Sequence, residues 1–308
     1  MNRKNKWIIY GIGLSLLLGG CMNMDNANGN GVDEKKNTQD EVKDQYARVQ
    51  DYKGEGYFLN NGDENDKIAE SKRSEVEKAV KDFFLEKYKT EVKVHNLVGN
   101  VDGVTVFVES TGPVHFYSYA IVPINKGTEE IMTKEVRTQE GEVERGIREG
   151  LYRLIFEEEF KNLDTYLEKV VSEEDVVGRT VESLQNVGGS GSMTPYYSMS
   201  SLKSDEAIQP VYDLYMEDHE TAIDTLKKAY EGDSFNPDSL RINIMLFMEE
   251  KNVDPSETVM KRVVKDIEEM SALPKGTYRV AVNDNGVHKE SFEGFKDNSI
   301  EQEIIRNE

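Results

Sequence analysis

Residues 92–124 read VKVHNLVGNVDGVTVFVESTGPVHFYSYAIVPI, and this stretch decides the fold. Valines alternate with other side chains across Val104–Val108, as expected of a strand with one buried face. Asp102 and Gly103 both tolerate the positive φ of a tight hairpin turn, and Gly112–Pro113 marks a second break. The pattern predicts a three-stranded antiparallel meander with strands at Val92–Val98, Val104–Val108 and Val114–Ile124, extended by a fourth at Ile131–Thr138.

Amphipathic helices flank this meander in the sequence. Apolar residues recur at helical spacing between Ser74 and Tyr88, and Ser74 with Glu77 fits a capping box. A longer amphipathic segment runs from Val143 to Val170. We therefore predict an α+β fold that begins with a helix, an antiparallel β-meander and a long helix, so that helices cover one face of the sheet.

The rest of the chain is predicted to be mainly helical and to end in a β-hairpin. Helical periodicity occurs in four segments, and two short alternating segments form the hairpin. The helices are expected at Ala207–Met216, Glu220–Tyr230, Asp238–Glu250 and Ser256–Met270, and the hairpin strands at Tyr278–Val282 and Val287–Phe292. The residues from Lys296 onward are polar enough to fray.

Changes in composition divide the chain into five parts. They are a lipoprotein signal peptide (1–20), a disordered acidic and polar tether (21–50), an α+β domain (51–172), a Gly/Ser-containing connection (173–200) and the mainly helical region with its hairpin (201–308). The tether lacks the large apolar residues that order a chain. The connection contains GGSGS at 188–192 without the context of a phosphate-binding loop, which predicts a hinge or surface loop. The sequence leaves open whether residues 51–308 form one folded domain or two.

Cys21 is the single cysteine of the chain, and it ends the run LGGC directly after an apolar segment. That segment, Trp7–Leu18, follows a positively charged start and is shorter than the roughly 20 residues of a membrane-spanning helix. The pattern is typical of a bacterial lipoprotein precursor that is cleaved between Gly20 and Cys21. We expect two acyl chains on the cysteine to anchor the protein to the extracytoplasmic face of the cell membrane.

The chain is strongly acidic, with 59 Asp and Glu against 38 Lys and Arg and a formal charge of -21. Nucleic-acid binding needs a basic patch, and no Lys or Arg cluster outweighs its acidic neighbours, so no nucleic-acid partner is expected. Once Cys21 is acylated, the mature chain has no thiol left. This excludes disulfides and cysteine catalysis.

Candidate catalytic residues are few. His95 and His115 lie on neighbouring predicted strands and could share a metal or a general-base role with a carboxylate, although their spacing is not that of a metal site and packing or surface roles are commoner. Glu109 and Glu157–Glu159 are the carboxylates that a wall-active hydrolase could use, or else a strand edge and a solvated helix face. We assign no catalytic residue, no cofactor and no metal site.

Tyr196 and Tyr197 follow a proline just beyond the GGSGS run. Aromatic side chains beside a mobile loop can form a recognition patch, since aromatic residues are enriched at interfaces. Two tyrosines behind a proline can equally lock a loop into the core. We keep Tyr196 and Tyr197 as the candidate binding patch, with the core interpretation as its alternative.

Four stretches carry a resemblance to a known family. They are Lys89–Ser110, with HNLVGNVDG at 95–103, then His115–Ile124, Thr194–Tyr197 and Lys296–Glu301. Together they resemble a family of Gram-positive surface lipoproteins catalogued as Domain of Unknown Function sixteen-seventy-two. The resemblance covers the chain from about Tyr52 onward, and it implies lipid anchoring at the cell surface with no assigned activity.

These observations predict a membrane-anchored extracytoplasmic lipoprotein of unknown specific role. We interpret it as a non-enzymatic protein that binds an envelope protein or peptide, because the chain has a tether and strong acidity but no catalytic set. The alternative is a carboxylate-dependent, wall-active hydrolase.

Replacing Cys21 with alanine should release or misprocess the protein, because no other thiol can accept diacylglycerol. We expect the Cys21→Ala variant to lose incorporation of radiolabelled palmitate and to leave the membrane fraction, while the unmodified sequence keeps both. A variant that still fractionates with the membrane through its lipid would contradict the predicted anchor.

Overall fold

The computed structural model describes residues 45–294 and 299–307 of the chain. The predicted signal peptide, the lipidation site Cys21 and the tether up to residue 44 lie outside these residues. The fold includes residues that were predicted to belong to the tether: Val49 is buried, and its N–H donates to Asn285 Oδ1 at 2.8 Å. Within the described residues, no helix is both long and apolar enough to cross a membrane.

Helices and strands alternate in groups along the described chain. The helices are α1 (Asp63–Ser71), α2 (Arg73–Tyr88), α3 (Glu142–Ile155), α4 (Glu157–Glu173), α5 (Val181–Val187), α6 (Gln209–Glu217), α7 (Ile223–Ala229) and α8 (Glu257–Glu269). The strands are β1 (Tyr46–Ala47), β2 (Val92–Gly99), β3 (Gly103–Ser110), β4 (Tyr117–Asn125), β5 (Glu130–Ile131), β6 (Val176–Val177), β7 (Tyr197–Ser201), β8 (Leu240–Met248), β9 (Gly276–Asn283), β10 (Val287–His288) and β11 (Ser299–Arg306). The predicted α+β class is confirmed.

The predicted meander forms the first sheet, whose strands β2, β3, β4 and β5 are antiparallel neighbours in that order. The side chain of Asn100 organises its first turn, since Oδ1 accepts the N–H groups of Asp102 and Gly103, each at 2.9 Å. The fourth strand, β5, contains only Glu130 and Ile131, so the predicted strand Ile131–Thr138 is wrong beyond its first residue. Local turn chemistry and period-two alternation were sufficient to predict the first three strands of this sheet.

The predicted helices around the meander need two corrections. The first helix is α2, but its N-cap residue is Lys72 and no side chain caps it, so the Ser74–Glu77 capping box is wrong. The reason is that α1 ends only two residues before α2 begins, which leaves no free helix start at Ser74. The predicted long helix is two helices, α3 and α4, because Phe156 interrupts it with φ −111° and ψ 39°.

The second sheet contains the largest differences from prediction. Its order is β11-β9-β8-β6, with β7 paired to the same strand, β8, as β6. Asp238–Glu250 was predicted as a helix but supplies β8, whose buried apolar run LRINIMLFM pairs in parallel with β9. The periodicity of a short apolar run of this kind fits a buried strand as well as a helix. Pairing with the neighbouring strands makes this run a strand.

The predicted C-terminal hairpin has a different partner strand. β9 pairs antiparallel with β11, which lies in the segment expected to fray, whereas Val287–His288 forms β10 and pairs with β1. β11 is at the edge of the sheet and buries only Ile304 and Arg306, so its sequence is largely polar. Edge strands of this kind carry little hydrophobic signal.

The main hydrophobic core is shared by residues from both sides of the predicted connection at 173–200. Phe84 and Leu151 come from the first region, and Val263 and Tyr278 come from the second; all four are fully buried in one cluster. The described residues belong to one compact unit.

The GGSGS run is bound to α3 and β4 instead of forming a surface loop. Gly191 and Tyr117 exchange two backbone hydrogen bonds of 2.9 Å. Ser192 N–H donates to Oε2 of Glu149 at 2.8 Å, and Ser201 N–H of β7 donates to Oε1 at 3.1 Å. Glu149 lies on α3 with no exposed surface, and this burial raises its pKa to about 8. One buried carboxyl therefore joins a helix, a loop and a strand.

Gly191 is required for this arrangement for two reasons. Its φ is +111°, in the region that favours glycine, and a Cβ there would lie 2.5 Å from Glu149 Oε2. A side chain at this position would push the Glu149 carboxyl group away from its two N–H donors. Gly189 has a φ of +90° but no atom within 4 Å of an added Cβ, which makes it a matched control.

We expect Gly191→Ala to lower the free energy of unfolding by roughly 2–4 kcal/mol, because left-handed strain adds to the disruption of buried hydrogen bonds. Gly189→Ala should lower it by only about 1–2 kcal/mol, since it introduces strain alone. Urea unfolding followed by circular dichroism measures both values. Equal losses in the two variants would contradict the role of Glu149.

Candidate functional site

A cavity of about 290 Å³ lies between the end of α3, the start of α4 and two loops. We call it the aromatic cavity, because aromatic rings form much of its wall. Its lining residues are Tyr152, Phe156, Glu159, Phe160, Tyr230, Gly232, Phe235, Leu240, Ala272, Leu273, Pro274 and Lys275. Cavities of this kind, apolar with a few polar groups, are the usual form of small ligand sites.

The rings of the aromatic cavity hold one another in place. The Tyr230 ring meets Phe156 edge-on, with centroids 4.9 Å apart, and meets Tyr152 in the same way at 6.0 Å. Tyr152 stacks on Phe156 at 6.2 Å, and Phe235 packs against Tyr152 at 6.4 Å. Phe156, Tyr230 and Phe235 are only half-buried, so part of each ring is free to contact a ligand.

A buried hydrogen bond fixes the inner wall of the aromatic cavity. The Tyr152 hydroxyl donates to Asp205 Oδ2 at 2.5 Å, and Ala207 N–H donates to Asp205 Oδ1 at 3.2 Å. Burial raises the pKa of Tyr152, and the nearby Asp205 raises it further, so the phenol stays neutral. Burial also raises the pKa of Asp205. The pair keeps the Tyr152 ring in one orientation beside the cavity.

Two side chains of opposite charge line the aromatic cavity. Glu159 is half-buried in the first turn of α4, and Lys275 is exposed just before β9. The lining contains no His, Cys or Ser that could act as a nucleophile or as its base. The geometry therefore suits binding of an apolar group, with one acid and one base available for polar contacts.

The two histidines singled out in the sequence do meet, at a single carboxylate. His95 Nε2 lies 2.7 Å from Glu109 Oε2, and His115 Nε2 lies 2.7 Å from Oε1. His95 sits at a shift in the β2–β3 register between Val94 and Asn96, and such β-bulges commonly redirect a side chain. We call these three residues the His–Glu–His cluster.

Hydrogen bonds hold the Glu109 carboxylate of the His–Glu–His cluster in place. Gln185 Nε2 of α5 also donates to Glu109 Oε2, at 3.2 Å, so the carboxylate has three hydrogen-bond partners. Burial tends to raise the pKa of Glu109, but the hydrogen bonds from His115 and His95 lower it, and the pKa lies below its ordinary value. An ionised, fully engaged carboxylate is a poor general acid. Among residues 45–294 and 299–307, no group of three or more His, Cys, Asp or Glu is placed to hold a metal ion.

Of the two tyrosines in the candidate binding patch, Tyr197 takes the alternative, core role, and Tyr196 packs half-buried against the core. Tyr197 is 1% exposed, and its hydroxyl donates to Asp164 Oδ1 at 2.8 Å. Tyr196 is half-buried beside Gly178, where an added Cβ would lie 2.6 Å from the Tyr196 ring. They therefore do not present two free rings to a partner.

The remaining sequence candidates lie apart from one another. Glu157 and Glu158 are exposed in the first turn of α4, and only Glu159 of that run reaches the aromatic cavity. Sequence reasoning missed Tyr230 and Phe235, since Tyr230 ends a predicted helix and Phe235 lies between two predicted helices. Their one shared signal is the concentration of aromatic residues at 230–235.

Comparison with known proteins identifies a family and a fold. The family model described as "Protein of unknown function (DUF1672)" matches residues 39–307. The chain is similar to the crystal structure, at 1.80 Å resolution, of a DUF1672 family protein from Staphylococcus aureus subsp. aureus Mu50. The two are 17% identical with a TM-score of 0.70, over 86% of this chain and 99% of that chain, which shows a shared fold. No curated protein matches this chain.

The His–Glu–His cluster predicts a pH-dependent stability. Because the pKa of Glu109 is lower in the folded protein than in the unfolded chain, its stabilising effect is present above about pH 4.5 and is lost as the pH falls through the folded-state pKa. Glu109→Gln should lower the free energy of unfolding by about 1.5–3 kcal/mol at pH 7, and this difference should shrink toward pH 3. Urea unfolding at each pH measures it.

The control for this prediction is Glu91→Gln, whose side chain is exposed at the end of the same sheet. We expect less than about 0.5 kcal/mol of change at any pH for this variant. A Glu109→Gln effect that does not depend on pH would contradict the assigned hydrogen bonds.

Proposed function

The chain belongs to the DUF1672 family of proteins of unknown function, and we propose that it is a lipid-anchored binding protein of the cell envelope that holds an apolar side chain of a protein or peptide in its aromatic cavity. The aromatic cavity carries this proposal. Its volume, about 290 Å³, is at the lower end of ligand sites, which suits a side chain better than a polymer. The LGGC run at Cys21 supports the location.

A binding role agrees with the chemistry of the site. Aromatic rings supply much of the energy of protein interfaces, and the half-buried rings of Phe156, Tyr230 and Phe235 offer such surface. Glu159 and Lys275 can pair with polar groups that flank the bound side chain. Since the chain has a charge of -21, a partner with basic residues would be favoured electrostatically.

The hydrolase alternative has weaker support. Glu109, its main candidate for a catalytic carboxylate, is already hydrogen-bonded to His95, His115 and Gln185. Glu159 lies on the aromatic cavity, but no second carboxylate lines it. Glycoside hydrolysis with a pair of carboxylates needs two such groups about 5–10 Å apart, one on each side of the bond that breaks. We therefore propose a non-enzymatic role.

Site-specific photocrosslinking in intact cells tests the binding proposal. Phe235 is replaced with p-benzoylphenylalanine in the full-length protein, and the control carries the same group at Phe58, which is 46% exposed and outside the cavity lining. We expect a discrete crosslinked species from position 235 that position 58 does not give. Identical products from both positions would contradict binding in the aromatic cavity.

Filling the aromatic cavity gives a second readout in the same cells. Gly232→Trp places a large side chain in the lining, where its Cβ makes an ordinary 3.5 Å contact with the Tyr230 ring. Gly112→Trp is the control, since a Cβ there meets no atom within 4 Å. We expect Gly232→Trp, but not Gly112→Trp, to reduce the crosslink from position 235 at least tenfold.

Incubation of the purified mature chain with peptidoglycan tests the alternative. We expect no released fragments. Turnover that disappears in Glu159→Gln or Glu109→Gln would contradict the non-enzymatic proposal and establish the hydrolase.

A further inference from the structure

Arg179 is a cation without a carboxylate partner among the described residues, in a strongly acidic chain. It lies between β6 and α5, and its Nη2 is 2.9 Å from the sulfur of Met245. The Arg179 guanidinium carbon lies 5.2 Å from the centre of the Phe292 ring and 5.9 Å from that of Phe247. No acidic oxygen of the described residues forms an ion pair with it, whereas Arg153 and Arg262 do form such pairs.

The surroundings of Arg179 destabilise its positive charge, because they remove water from the guanidinium. Burial lowers the pKa of the guanidinium to about 10, and no charged neighbour counteracts this effect. The two rings and the thioether give some favourable contact, but cation–π interactions are worth only about 0.5–2 kcal/mol. A charge that the fold desolvates without pairing is more typical of a functional site than of a structural one.

The guanidinium still reaches solvent. The Arg179 side chain is half-buried, and none of its nitrogen atoms is among the fully buried polar atoms that lack a hydrogen-bond partner. Apart from the contact with Met245, its side-chain N–H groups have no acceptor in the described residues, so they are available to a ligand. Parallel N–H groups on a planar guanidinium match the two oxygens of a carboxylate.

We propose that Arg179, framed by Phe247 and Phe292, binds the carboxylate of a small organic acid or of a peptide end. A carboxylate fits better than phosphate because it carries one negative charge, and the charge of -21 on this chain repels a dianion more strongly. The site is separate from the aromatic cavity, since none of the residues that contact the Arg179 side chain lines that cavity.

The methyl group of Met245 reports binding directly, because its sulfur contacts Arg179. The mature chain, carrying Cys21→Ala and ¹³C-labelled methionine methyl groups, is titrated with N-acetylalanine, with its uncharged amide and with inorganic phosphate. We expect N-acetylalanine to shift the Met245 signal saturably. The amide should give no shift, and phosphate should bind at least threefold more weakly.

Three variants locate the effect. Arg179→Met keeps an apolar side chain of similar length and should abolish the shift. Arg179→Lys keeps the positive charge but lacks the planar guanidinium, so it should weaken binding at least threefold. Arg137→Met removes an arginine that is exposed and paired with Asp102, and it should leave binding unchanged.

Several results would overturn the proposal. They are no response to N-acetylalanine, an equal response to its amide, or a shift that persists in Arg179→Met. Phosphate binding as tight as that of N-acetylalanine would overturn the assignment to a carboxylate. Thermal unfolding provides the check on folding: N-acetylalanine should raise the midpoint for the parent chain and for Arg137→Met, but not for a folded Arg179→Met protein.

Discussion

The packing of the GGSGS run and of β7 against α3 depends on the buried carboxyl of Glu149. It accepts the N–H of Ser192 at 2.8 Å and the N–H of Ser201 at 3.1 Å, and Arg145 Nε lies 3.6 Å away. A carboxyl group without access to water is unfavourable unless hydrogen bonds satisfy it. Its oxygens therefore require the GGSGS run and β7 to stay against α3. Gly191 makes this approach possible because it has no side chain.

Helix α3 carries both Glu149 and one wall of the aromatic cavity. Glu149 lies one turn before Tyr152, and Phe156 follows directly after the end of α3. β7 ends at Ser201, which donates to Glu149, and the chain then reaches Asp205, which accepts from the Tyr152 hydroxyl. The position of β7 on α3 thus sets the position of Asp205 beside the cavity. This coupling links packing in the interior to the proposed binding surface.

Local sequence patterns predicted the parts of the fold that depend on nearby residues. The meander followed from Val104–Val108 and the turn at Asp102. The predicted helix Ser256–Met270 is α8, and Ser256 caps it by accepting the Val259 N–H. The parts that depend on distant partners were not predictable in this way. Leu240–Met248 became a strand because β7 and β9 lie beside it, and β11 is an edge strand with a polar sequence.

In the candidate sites too, features set by nearby residues were predictable, and features set by distant residues were not. His95 and His115 were expected on neighbouring strands, but the sequence did not indicate that Glu109 would engage both imidazoles. The aromatic cavity joins Tyr152 to Phe235, which are far apart in the chain, so periodicity gave no sign of it. Glu149 resembled an ordinary polar residue of an amphipathic helix. Its burial becomes evident only when the GGSGS run is placed on α3.

Amide hydrogen exchange at Ser192 and Ser201 tests most directly whether Glu149 holds the GGSGS run in place. If it does, both amides should exchange only through global unfolding, with protection equal to that of a central strand residue such as Ile242. Exchange as fast as that of the solvent-exposed Gly112 would show that the run opens locally and would contradict this account.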